Sequence, residues 1–295
     1  MITYKAKTAS GEIINSALTP FAFPAGEAHI KREDRRALEP VEIAVLQPSA
    51  ASLHDDLFHL AMWNDYLLME NSDSPPEGPS KRVVLIPYFP GARADRGQPF
   101  GLGVYATFIR DLELDQIVIF DPHSGMTGDA LHTAADKLSF VYPHDVLARQ
   151  TAYAGIIAPD KGAVRRAQAV ADKMGIPLYT AEKTRNFETG KLSGYALDMP
   201  SDSVSKHLTE RFLVVDDICD GGGTFMLLSD AFRKLRPQGG LDLYVSHGVF
   251  SGKAFDNLKS GYDMIATTNS YDPLRPLPSR FHRMDVTRRM FKEII

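Results

Sequence analysis

The chain has 295 residues, enough for one large domain or two of ordinary size. With 44% hydrophobic and 24% charged residues it has the balance of a soluble globular protein, and a net charge of −4 argues against nonspecific binding to nucleic acid or to an anionic membrane surface. Its one cysteine, Cys219, excludes an intrachain disulfide and any multi-cysteine metal site. The first residues carry Lys5 and Lys7 with no apolar run behind them, and no apolar stretch approaches the roughly 20 residues of a membrane span. The expectation is a cytoplasmic protein without a signal peptide.

In chain order, the first apolar run short enough for a buried strand is Val41–Gln47. Leu53–Leu68 follows as an amphipathic helix, with Leu53, Leu57, Leu60, Ala61, Leu67 and Leu68 on one face. Residues 71–80 are polar and rich in proline and read as an exposed loop. Strands are predicted at Val83–Phe89 and Gln116–Asp121, and a softer break falls near Pro143. Beyond it come strands at Gly155–Asp160, Phe212–Asp217, Leu241–Phe250 and Met264–Asn269, with helices over Ala163–Met174 and Thr224–Leu235. Strand–helix alternation implies an α/β architecture with a mainly parallel sheet. Both halves carry strands that end in Asp before a loop and helix, so two similar lobes are expected, 1–142 and 143–295.

Ligands of open α/β sheets bind at the carboxyl ends of the strands. The strongest such end is Phe212–Asp217 running through Ile218, Cys219, Asp220, Gly221, Gly222 and Gly223 to Thr224. Asp216, Asp217 and Asp220 offer oxygens to Mg²⁺ or to sugar hydroxyls. The glycines let backbone amides approach an anion, and Thr224 reads as the N-cap of a helix whose amino end attracts phosphate. Cys219 has no basic neighbour to activate it and reads as a small core residue.

This segment resembles the phosphoribosyl-diphosphate loop shared by type I phosphoribosyltransferases and ribose-phosphate diphosphokinases. Five further blocks, in family order, are similar to the diphosphokinases: Pro87-Tyr88-Phe89 with Ala92-Arg93-Ala94-Asp95, Asp121-Pro122-His123, Pro159-Asp160-Lys161-Gly162, Lys183-Thr184-Arg185, and Ser246-His247-Gly248. The resemblance implies a fold of two phosphoribosyltransferase-like lobes, each a mainly parallel sheet flanked by helices. It implies transfer of the β,γ-diphosphoryl group of ATP to the anomeric hydroxyl of ribose 5-phosphate, leaving AMP.

By the same resemblance, Lys183 and Arg185 are the catalytic cations, followed by a mobile loop over residues 186–194 that closes on ATP. Arg93, Asp95 and His123 bind ATP, and His123 with Asp160 holds Mg²⁺. Phe23 and Glu27 contact adenine from a neighbouring subunit, which implies a homo-oligomer, a dimer or hexamer. Asp216, Asp217, Asp220, Gly221, Gly222, Gly223 and Thr224 bind the ribose phosphate. Neither nucleic acid nor membrane is expected as a partner.

Ala25 and Ala94 stand where the family carries polar side chains near adenine, and residues 96–103 form a shorter segment than in regulated members. Gly221 stands where the family carries threonine or serine to hold the sugar 5-phosphate. Either backbone amides alone hold that phosphate, or the substrate carries a larger group on it, as ADP-ribose does in NAD salvage. A non-catalytic regulatory homologue is the alternative of another class.

Overall fold

The protein is described by a computed structural model over residues 1–33, 38–73, 80–147, 153–185, 192–199, 210–236, 238–273 and 275–294. The chain divides into two compact units, Met1–Val141 with Asn269–Leu274 and Asp285–Ile295, and Tyr142–Thr268 with Arg275–Met284.

The first unit begins with β1 (Ile2–Lys7), β2 (Ile13–Asn15), β3 (Leu18–Ala22) and β4 (Ala28–Arg32). Then come β5 (Val41–Leu46), α1 (Leu53–Asp73), β6 (Lys81–Ile86), α2 (Gly101–Arg110), β7 (Leu114–Phe120), α3 (Met126–Leu131) and β8 (Ala135–Val141). Its six-stranded sheet runs β2-β1-β5-β6-β7-β8, with β5 to β8 parallel and β1 antiparallel to both neighbours. β3 and β4 form a separate antiparallel hairpin. Every residue of β5 is buried, as expected of a strand covered on both faces. Leu57, Leu60 and Leu67 of α1 join the core with Trp63, which stacks on Tyr4 at 6.1 Å. Leu68, assigned to that face by the sequence, is 47% exposed, because it lies one step of about 100° beyond Leu67.

The second unit contains α4 (Pro143–Val146), β9 (Tyr153–Ala158), α5 (Val164–Met174), β10 (Leu178–Arg185) and β11 (Leu192–Asp198). It continues with β12 (Arg211–Cys219), α6 (Gly223–Leu235), β13 (Gly240–Gly248), α7 (Ala254–Gly261), β14 (Met264–Thr268) and β15 (Phe281–Met284), and α8 (Thr287–Met290) belongs to the first unit. The seven-stranded sheet runs β11-β10-β9-β12-β13-β14-β15 and is parallel except for the β10–β11 pair. Alternation along β12 shows how both faces are covered. Phe212 and Val214 pack with Phe225, Leu228 and Phe232 of α6, and Leu213 and Val215 pack with Ala167, Val170 and Ala171 of α5. Both units are therefore mainly parallel sheets flanked by helices, and all seven predicted strands are present. Among the described residues no helix is long and apolar enough to cross a membrane.

Candidate active site

The loop after β12 is built by a change of backbone hand. Gly222 is the N-cap of α6 with φ +77°, a left-handed conformation that costs glycine little. A Cβ there would also lie 3.3 Å from Leu258 Cγ, so two constraints hold this glycine. The helix starts at Gly223, and Met226 N donates to Gly222 O at 3.1 Å. Thr224 is therefore inside the first turn rather than the N-cap, a correction to the sequence reading: the turn at Gly222 brings the helix in two residues early. Gly221 and Gly223 are exposed, and a Cβ on either would meet nothing within 4 Å. The amides of Gly223, Thr224 and Phe225 have no acceptor within the helix, so its positive end offers donors to an anion. Asn257 Nδ2 steadies the loop by donating to Gly221 O at 3.4 Å. Val249 N and Phe250 N both donate to Cys219 O at 3.0 Å, tying the end of β13 to the start of the loop. Cys219 itself is buried, and burial pushes its thiol up, away from thiolate.

Asp216 and Asp217 lie near the carboxyl end of β12, facing an arginine in the first turn of α5. Arg166 Nη1 lies 3.8 Å from Asp216 Oδ1 and 3.6 Å from Asp217 Oδ1, with all three side chains largely buried. Sequence reading missed Arg166; its signal was a second basic residue at the start of the helix after the Asp160 loop. Burial, and next the charge of Asp217, raises the Asp216 carboxyl well above the usual range, with Arg166 opposing. A native carboxyl that holds its proton more tightly than the unfolded one makes the fold lose stability as pH rises from about 4 toward the raised value. Asp216→Asn should remove that slope. Urea unfolding at several pH values checks it: the parent should lose about 1.4 kcal/mol per pH unit inside the window, and parallel curves for parent and variant would contradict it.

Asp160 turns the chain into α5. Its Oδ1 accepts from Gly162 N at 2.9 Å and from Ala163 N at 3.2 Å, so the side chain has a structural duty at that loop. Lys183 and Arg185 lie at the carboxyl end of β10, in register with Tyr195 and Leu192 of β11, with an irregularity between Thr184 and Arg185. Of the loop read over 186–194, residues 186–191 lie outside the described residues, and β11 has already begun at Leu192. Tyr195, which sequence reading passed over, is buried with its hydroxyl near this end of the unit. A tyrosine in a polar stretch gave no periodic signal to find it by.

In the first unit, two strand-end loops meet. Ser124 Oγ donates to Asp95 Oδ2 at 2.7 Å, joining the segment after β6 to the segment after β7. Asp95 is buried, whereas Arg93 and His123 are exposed. Asp121, which leads into His123, has φ +40°, an uncommon conformation for a residue other than glycine, and its amide donates to Val141 O at 2.8 Å. Phe23 sits at the tip of the β3–β4 hairpin, 46% exposed, edge-on to Phe21 at 5.1 Å and to His29 at 5.5 Å. Phe23 N donates to Glu27 O at 2.9 Å and closes the tip, and Glu27 is exposed. Among the described residues, no three His, Cys, Asp or Glu side chains group closely enough to hold a metal ion by themselves.

Comparisons with known proteins bear on this arrangement. The phosphoribosyl transferase domain family matches residues 152–258. The ribose-phosphate pyrophosphokinase of Pyrococcus furiosus is 29% identical over 260 residues, 84% of each chain. That of Campylobacter jejuni is 26% identical over 266 residues, 87% of this chain and 80% of the relative. Among solved structures, the phosphoribosylpyrophosphate synthetase of Mycobacterium smegmatis shares the fold with a TM-score of 0.69 at 20% identity, covering 95% of this chain and 89% of its own.

Proposed function

As the chain belongs to the ribose-phosphate pyrophosphokinase family, we propose that it transfers the β,γ-diphosphoryl group of ATP to the anomeric hydroxyl of ribose 5-phosphate, giving phosphoribosyl diphosphate and AMP. The observation that carries the reading is the loop from Asp216 to Thr224, where acids on a strand end, a left-handed glycine and a helix amino end follow one another. Amides of the loop and of the first turn of α6 hold the 5-phosphate, and the carboxylates of Asp216, Asp217 and Asp220 accept from sugar hydroxyls. Arg93, Asp95 and His123 serve ATP, and the exposed Phe23 with Glu27 serves adenine from a neighbouring copy. Phosphoryl transfer of this kind needs alignment and charge more than covalent chemistry, and Lys183 with Arg185 supplies positive charge to the transferring group.

A bound Mg²⁺ would offset negative charge on the phosphates of ATP. It is commonly bound through one or two protein ligands plus substrate phosphates, and the exposed imidazole of His123 and the carboxylate of Asp160 are the side chains assigned to hold it. His123→Ala and Asp160→Asn should each raise the Mg²⁺ needed for half-maximal activity about tenfold or more. Asparagine at 160 keeps an oxygen for the Gly162 and Ala163 amides, so the unfolding midpoint should hold. A Mg²⁺ titration in which both variants follow the parent would remove the two residues from metal binding.

A second acceptor is favoured by one feature. The open space at Gly221 and Gly223 leaves room for a substituent on the 5-phosphate, as in ADP-ribose. Incubation of the protein with ATP, Mg²⁺ and either sugar, with AMP release and product mass as readouts, separates the two readings. Release with neither sugar would favour the non-catalytic alternative.

A further inference from the structure

A buried phenol without a hydrogen-bond partner stands beside the phosphate loop. Tyr195 lies on β11, is 9% exposed, and its hydroxyl bonds to nothing. Buried tyrosines usually place the O–H on an acceptor, because a stranded donor costs about 1–3 kcal/mol. β11 packs against α6, whose first turn belongs to the loop. The polar groups acting on the phenol come from two strand ends and from the first turn of α6. Burial first, then Asp160, pushes its pKa up to about 12; Asp216 adds to this, and the Thr224 hydroxyl pulls the other way. Thr224 is thus close to the phenol, yet the pair does not meet hydrogen-bond geometry. The phenol stays protonated through neutral pH, a donor held beside Thr224 and not yet bonded to it.

We propose that Tyr195 is a positioning residue for the acceptor's phosphate, acting through the Thr224 hydroxyl. A threonine hydroxyl has one proton and two lone pairs. Facing a phosphate oxygen it must donate that proton. When Tyr195 donates into Thr224 Oγ1, the threonine proton is committed to the phosphate, and the two bonds in series strengthen each other. The phenol is enclosed, so it reaches the ligand only by way of Thr224. The hydrogen bond from Tyr195 to Thr224 is then made when the loop holds a phosphate. This rests on the sugar-phosphate reading of the loop, and the ligand class is a phosphorylated ribose, free or substituted.

Tyr195→Phe removes only the hydroxyl. Calorimetric binding of ribose 5-phosphate and, separately, of ADP-ribose should weaken about five- to tenfold for the sugar that the parent binds. The acceptor KM should rise by the same factor, with kcat and the ATP KM within about twofold of the parent. The unfolding midpoint without ligand should stay level or rise, since a stranded donor has gone. In a Thr224→Val background the same substitution should have no further effect on binding. Unchanged binding in Tyr195→Phe, or its full effect in the Thr224→Val background, would overturn the proposal. So would a lowered midpoint with equal losses for sugar and ATP, which marks a structural role. A parent that binds a sugar phosphate but turns none over refutes the pyrophosphokinase reading and leaves the binding cycle decisive for Tyr195. A parent that binds neither sugar refutes both.

Discussion

Lys183→Ala and Arg185→Ala should each lower kcat by about 10²–10³, with the ATP KM changed far less. Charge on the transferring diphosphoryl group is redistributed as the β-phosphorus leaves one oxygen for another, so a cation aimed at it is worth most at the transition state. Both residues lie on the last turns of register between β10 and β11, at the carboxyl end of β10, the edge of a parallel sheet where ligands gather. The pair is not interchangeable. Arginine offers a planar fork of donors and lysine a compact point charge, so Lys183→Arg and Arg185→Lys should each recover only part of the loss. Single-turnover measurement of AMP formation at saturating ATP checks this without interference from product release. Near-parental turnover in either alanine variant would remove that residue from the mechanism and leave it a solvated charge at a strand end.

Much of the arrangement was legible in the sequence because buried parallel strands announce themselves. Val41–Leu46, Leu114–Phe120 and Gly240–Gly248 are covered on both faces, so they are mostly apolar, broken only by Glu42, Asp115, Gln116, Asp242, Ser246 and His247. The antiparallel strands gave no such run: β1 alternates buried positions with the exposed Thr3 and the half-buried Lys5 and Lys7, and β4 carries His29, Lys31 and Arg32. β11 was read partly as loop because Ser193, Gly194 and Asp198 dilute its pattern. The loop from Asp216 to Thr224 was visible because acids, glycines and a helix start occur in order. Arg166, beside Asp216 and Asp217, and the buried Tyr195 were not, since they belong to other elements, α5 and β11, of the same unit. The cap at Gly222 was misplaced to Thr224 for a local reason. A threonine before an apolar run is the stronger cap by composition, whereas a left-handed glycine caps by geometry.

Gly221→Thr should shift acceptor preference toward ribose 5-phosphate and away from ADP-ribose by about tenfold or more in the ratio of kcat/KM. The substitution is geometrically clean. Gly221 is absent from the left-handed positions, which in this loop fall on Gly222 alone, and its Cβ would stand in open space. The Asn257 bond to its carbonyl needs no particular side chain at 221. For free ribose 5-phosphate, the threonine hydroxyl adds a hydrogen bond to a charged oxygen, worth about 1.5–3 kcal/mol when well placed. For ADP-ribose the same hydroxyl and methyl occupy the space that the bridging phosphate and the adenosine beyond it require. The two effects act in opposite directions, so the ratio moves more than either rate. Gly222→Thr is the control: at φ +77°, with Leu258 3.3 Å from its Cβ, it should strain the loop and depress both activities together, with a lower unfolding midpoint. An unchanged ratio in Gly221→Thr, or a parent that never turns over ADP-ribose, leaves the open space above the loop without a ligand and ribose 5-phosphate as the acceptor, held by backbone amides alone.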